Sequence, residues 1–179
     1  LKPGGASFTL GGMEIFRAPW GKSLRWTSAL SSLLLIGIAL IPWKAPHGAK
    51  MPPWFPTYLF TMERVMPLAV LLGAGCFTIR GYRITEDAIE VQRLFWITRL
   101  PRPTLVSATL EPGVAKGSLR TCGNGGLFSF SGWYWNRPLG SYRMLATDLN
   151  RLVVLRFSDR KPMLISPDQP EAFVKALGF

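Results

Sequence analysis

One histidine, His47, and two cysteines, Cys76 and Cys122, limit the chemistry this chain can do. A cysteine nucleophile needs a base beside it to raise its thiolate fraction. Cys122 opens the stretch Cys122-Gly123-Asn124-Gly125-Gly126, but the sole histidine lies far upstream, between two apolar runs. Glycines there read as a tight connection, since they tolerate positive φ. No Gly-Lys-Ser/Thr follows them, so a phosphate-binding P-loop is excluded. Zinc at standard spacing cannot be assembled from one histidine and two scattered thiols. Glu86, Asp87 and Glu90 gather around one turn, with nothing that pairs two carboxylates across a cleft as hydrolysis requires. Both cysteines read as reduced, which suits a cytoplasmic domain. The expectation is a non-enzymatic protein without metal or cofactor.

Basic residues are the stronger signal. The chain is 48% hydrophobic with a mean hydropathy of +0.20, yet its formal charge is +11. Arg80, Arg83 and Arg93 follow directly on the second apolar run. Lys116, Arg120, Arg137 and Arg143 surround the Gly-rich stretch and the segment Trp133-Tyr134-Trp135. Anionic headgroups attract such residues by about 1 kcal/mol each near a membrane surface. Arg80, Arg83, Arg93, Arg120, Arg137 and Arg143 are therefore candidate lipid or partner contacts. The plainer explanation is the excess of lysine and arginine that cytoplasmic segments of membrane proteins carry. Nucleic acid fits poorly, because the arginines are dispersed and the domain is tethered to a membrane. On a strand, Trp133 and Trp135 point one way and Tyr134 the other, so one face is core and the other exposed.

Two apolar runs must position these residues. The first, Leu24 to Trp43, would make about 30 Å of helix, enough for a hydrocarbon core, and Trp43 suits the headgroup level. A cleaved signal peptide is disfavoured by the length of this run and by the second run close behind it. In that second run, residues 57–79, Glu63 and Arg64 interrupt the pattern. The uninterrupted part from Val65 to Ile79 gives only about 22 Å. Either the helix starts near Pro56 and Glu63 and Arg64 compensate each other inside it, or an aromatic stretch lies in the interface and the span is short. Glu63, Arg64 and Lys44 are the candidate intramembrane or interfacial ion pair. Arg17, Lys22, Arg25, Arg80, Arg83 and Arg93 outside the runs outnumber Lys44, Lys50 and Arg64 between them, which places both termini in the cytoplasm.

From Arg80 onward, short β-branched and aromatic runs alternate with turn signals. The expected strands are 82–85, 88–92, 94–98, 104–110, 127–135, 141–146, 152–157 and 162–165, with the Gly-rich stretch 113–126 as a loop. Pro101 and Pro103 do not suit a central strand. The ending predicts a helix with Ser166 as N-cap, Pro167 at its first position, Gln169 completing a capping box and Gly178 as its stop. Phe173 and Leu177 lie on its apolar face.

The chain resembles the bacterial pleckstrin-homology-like (PH-like) membrane proteins. Three places carry the resemblance: Phe16-Arg17-Ala18-Pro19-Trp20, then Tyr82-Arg83-Ile84-Thr85-Glu86-Asp87, then Ser166 through Phe173. Asp148 to Leu155 is also similar. The resemblance implies a two-helix transmembrane hairpin followed by a mainly β, PH-like domain of about seven strands, with bent sheets or a partly open barrel and one C-terminal capping helix. The expected division is 1–23 as an N-terminal extension and pre-membrane segment, flexible through Gly12, then 24–79 as the transmembrane hairpin (24–43 and 57–79), then 80–179 as a cytoplasmic PH-like domain. The expected location is the bacterial inner membrane, multi-pass. The expected role is a membrane-anchored module acting through protein or anionic-lipid contacts. The alternative is an accessory subunit of a transporter or larger membrane complex. Its partners would be the bilayer and a membrane protein or a second copy, and no nucleic acid.

Overall fold

The two long apolar runs become helices here, the second with Pro67 inside it. In the computed structural model of the chain, the described residues are 8–10, 13–41, 52 and 54–179. Helix α1 spans Lys22–Leu40 and α2 spans Trp54–Cys76. Among the described residues one helix, α1, is long and apolar enough to cross a membrane. It stops three residues short of the expected Trp43. Ile41 turns extended, as a residue before proline is forced to do. The second helix lies three residues earlier than expected at each end. Pro56 fits within its first turn, where amide hydrogens have no helical partner anyway.

Two strands precede the helices, β1 (Phe8–Leu10) and β2 (Met13–Arg17). Nine follow them: β3 (Ile79–Ile84), β4 (Ala88–Arg93), β5 (Ile97–Pro101), β6 (Leu105–Leu110), β7 (Leu119–Gly125), β8 (Phe130–Asn136), β9 (Gly140–Ala146), β10 (Val153–Phe157) and β11 (Met163–Ile165). Helix α3, Pro170–Ala176, ends the fold. The first five strands form one sheet in sequence order. The other six form a second sheet in the order β6-β10-β11-β9-β8-β7, antiparallel except for β11 against β9. The described residues thus form two sheets with nine strands after the helices, where about seven strands in bent sheets or a partly open barrel were expected.

The sheets explain several departures from the sequence reading. Residues 13–17 are not an appendage to the membrane segment. Strand β2 pairs with β3, Phe16 opposite Tyr82 and Arg17 opposite Gly81. Part of the Gly-rich stretch is strand β7 rather than loop. Gly123 and Gly132 let β7 and β8 approach closely: a Cβ on Gly132 would strike the Cys122 carbonyl, and one on Gly123 would meet Ser131 O at 2.5 Å. Pro101 closes β5, which is an edge strand, where a missing donor costs little.

Apolar residues alternate across the second sheet, so both of its faces are covered. Leu145, Val153, Leu155 and Ile165 face the first sheet and α3, with Phe16, Ile79, Tyr82, Ile89 and Phe173. Tyr142, Met144, Val154 and Leu164 face the other way and pack with Leu24 of α1. The three segments that carry the family resemblance meet in the first cluster. The Phe173 ring lies 5.0 Å from Phe16 and 6.3 Å from Tyr82, edge-on to both. Arg17 N–H donates to Asp168 Oδ1 at 3.1 Å, and Asp168 N–H returns a bond to Arg17 O at 2.9 Å.

Ser166 is not the N-cap. The helix begins at Pro170 behind Gln169, which makes no side-chain cap bond. Ser166 is fully buried, and its Oγ accepts N–H bonds from Thr147 (2.8 Å) and Asp148 (3.1 Å). Tyr82 Oη accepts from Ser166 N–H and lies 2.8 Å from Leu145 O. Tertiary donors therefore claim the hydroxyl expected to cap the helix. Gly178 does stop it, with φ at 92°.

Candidate functional site

The antiparallel register brings the chain's two junctions between sheet and helix to one end of the first sheet. Arg17, which leads into α1, and Ile79, which follows α2, lie at that end, and Ile79 pairs with Arg93. The β4–β5 connection, Leu94-Phe95-Trp96, therefore emerges beside the foot of α2. The β7–β8 turn, Gly126 to Ser129, comes up beside the foot of α1.

Arg93 is the anchor of this end. It is only 6% exposed, and its Nη1 donates to Ser131 Oγ at 3.1 Å and Phe77 O at 3.3 Å. Its guanidinium lies 5.5 Å from the Phe77 ring and 5.6 Å from the Trp96 ring, which pack edge to face. Ser129 Oγ also donates to Phe77 O. That carbonyl lies just past the end of α2, where the helix dipole favours a cation. Burial lowers the Arg93 pKa, and the nearby charge of Arg143 lowers it further. On the α1 side, Ser28 Oγ donates to Gly126 O at 3.0 Å and accepts from Phe128 N–H at 2.9 Å. Thr27 Oγ1 lies 3.0 Å from the same carbonyl. Both helices are thus held at their feet by the β domain.

The other candidate arginines are scattered. Arg80 is exposed on β3 at the helix end. Arg83 is half-buried, 3.7 Å from Glu90, which also holds Arg99 at 3.0 Å. Arg120 is exposed at a cavity of about 320 Å³ floored by Phe130, Tyr134 and Met144. Arg137 is exposed in the β8–β9 turn, at the far end of β8 from Phe130. Arg143 pairs in register with Trp133. Arg93 is therefore an internal clamp rather than a surface contact, and Arg80 and Arg137 lie at opposite ends of the domain.

A second cavity, about 360 Å³, lies between Val70, Gly73 and Ala74 of α2 and Gly123, Asn124 and Leu127. Trp133 and Trp135 are exposed and Tyr134 is buried, as strand alternation predicts, and Lys161 lies 5.6 Å from the Trp133 ring. Burial pushes Tyr134 up to about 12. Near the middle of α2, Glu63 Oε2 is buried without a hydrogen-bond partner among the described residues. Arg64 is exposed, and adjacent helical residues point to different faces. Lys44 lies outside the described residues. No cluster of His, Cys, Asp and Glu among the described residues could hold a metal.

Sequence reasoning missed Phe77, Trp96, Thr98 and Ser131 as partners of Arg93, and Thr27 and Ser28 as the tie of α1. One signal was available: Leu94-Phe95-Trp96-Ile97 is an unbroken apolar run where a half-buried strand would alternate.

The family of bacterial PH domains matches residues 80–178. The chain belongs to that family. No curated protein and no solved structure matches it. The matched part of the PH domain begins at β3, so β1 and β2 complete its first sheet from the other side of the helices.

Proposed function

We propose that this protein is a membrane-anchored PH module, with the two helices as a hairpin through the bilayer and the domain acting by protein or anionic-lipid contacts rather than by catalysis. One observation carries the reading. Beyond its foot, α1 exposes Leu30, Leu33, Leu34 and Leu40, and α2 exposes Val65, Met66, Leu68 and Leu72. A contiguous apolar patch of this kind marks contact with a membrane or a partner. The hairpin leaves and re-enters at one end of the β domain, an arrangement that suits a domain resting on one side of a bilayer.

Alkaline carbonate washing of membranes from cells that express the full chain tests the anchor. The protein should stay in the membrane pellet; release into the wash would sink the reading. Orientation is tested in intact cells with Cys76 and Cys122 replaced. Gly48→Cys should react with an impermeant thiol reagent and Ser158→Cys should not; the reverse pattern would invert the topology. A second reading, as an accessory subunit of a membrane complex, is favoured by the buried Glu63 Oε2, which has no hydrogen-bond partner among the described residues and which a partner helix could satisfy. Purification in mild detergent with a stoichiometric membrane protein would select it.

A further inference from the structure

We propose that the β4–β5 tip, Leu94-Phe95-Trp96-Ile97, is a third membrane element that inserts into the bilayer interface beside the hairpin. The inference rests on the anchored reading above and adds a site to it. All four side chains are exposed, Phe95 to 72%, although they are consecutive and apolar. The tip is held rigidly in that position. Arg93 N–H donates to Trp96 O at 3.0 Å, and the Arg93 guanidinium and Phe77 ring both pack against Trp96. A buried cation thus supports an exposed apolar tip.

Helix length supplies a second, independent argument. After buried Ser28, α1 continues only from Ala29 to Leu40, about 18 Å of helix against a hydrocarbon core of about 30 Å. The whole of α1 gives about 28 Å. A span by α1 therefore needs its first turns at headgroup depth. Those turns are bonded to Gly126 and Phe128, so the same end of the domain is drawn against the bilayer. The tip leaves from that end, next to α2. Its composition suits this depth: a tryptophan and a phenylalanine at the apex, with exposed Arg80 and Arg99 on the strands behind. The tip is a convex turn rather than a groove, and it continues the apolar surface of the hairpin. Lipid is the occupant these features fit.

The test uses the full chain with Cys76→Ser and Cys122→Ser, reconstituted in vesicles of phosphatidylethanolamine and phosphatidylglycerol. Single cysteines at Phe95→Cys, Met66→Cys and Ser158→Cys carry a polarity-sensitive fluorophore. The Phe95→Cys label should emit to the blue, be quenched by lipids spin-labelled near the headgroup and be shielded from aqueous iodide. The Met66→Cys label should be quenched by lipids labelled deep in the chain. The Ser158→Cys label should be quenched by iodide alone. If Met66→Cys reports lipid while Phe95→Cys reports water, the tip inference is wrong and the anchor stands. If neither reports lipid, the anchored reading fails and takes the inference with it. If Phe95→Cys is shielded in native membranes but open to iodide in pure lipid vesicles, a protein covers the tip and lipid is overturned as its occupant.

Discussion

Leu33 in α1 and Leu155 in β10 are the same side chain in opposite circumstances: the first is 71% exposed, the second fully buried. The contrast extends to their surroundings. The β domain covers both faces of its second sheet, using the first sheet and α3 on one side and the foot of α1 on the other. Among the described residues, the two helices leave large apolar side chains such as Leu33, Leu34, Leu40 and Leu72 exposed. A domain that buries its own apolar groups is stable in water. A hairpin that leaves them exposed is the surface on which the proposed membrane anchor rests.

Substitutions in the two regions should differ accordingly, with unfolding of the full chain followed by near-UV circular dichroism in mild detergent. The largest effect belongs to Phe173→Ala, where the ring packs against Phe16 and Tyr82. It should cost about 3–5 kcal/mol. Ser166→Ala removes the acceptor of two buried amides, Thr147 and Asp148. It should cost about 2–3 kcal/mol, more than the ~1 kcal/mol of a lost N-cap. A loss near 1 kcal/mol would restore the capping role.

A gentler change should come from pH. Burial pushes Tyr82 up to about 12 from an ordinary value of 10.0. Above pH 10 the unfolded chain releases this proton while the folded chain keeps it, so the unfolded state gains and stability falls as pH rises. The loss is absent below pH 10, on the order of 1 kcal/mol at pH 11, and complete above 12. Tyr134 contributes in the same direction. Tyr82→Phe should flatten much of the slope; an unchanged slope would place its source elsewhere. The smallest effect is Leu33→Ala, expected to leave unfolding of the β domain within about 0.5 kcal/mol. A large loss there would mean that the projecting hairpin belongs to the same cooperative unit as the domain.

Much of the fold was legible because its signals are local. The β3–β4 hairpin around Glu86-Asp87, the alternation through Trp133, Tyr134 and Trp135, and the stop at Gly178 each depend on a few neighbouring residues. Gly123 was read as permissive of a loop, but its role depends on Gly132 across the pair. Arg93 looked like a surface cation because sequence counts charge and does not record burial. Its place inside is set by Phe77, Thr98 and Ser131, which come from three separate segments. A domain fragment beginning at Gly81 would lack Ile79 and the partner strand β2 with Phe16, so the boundary suggested by the second apolar run cuts through the first sheet.

By itself the sequence determined two long apolar helical runs, a following domain rich in short strands, and the family resemblance spread over three segments. These follow from hydrophobic period, turn residues and composition, which act between near neighbours. Only the tertiary structure decided that those three segments meet around Phe16, Tyr82 and Phe173, that Ser166 serves amides instead of a helix end, and that the tip at Phe95 stands beside the foot of α2. Each depends on strand pairing across a long separation. The register of β2 on β3 closes over the whole helical hairpin, and no local preference of either strand specifies which partner it will find.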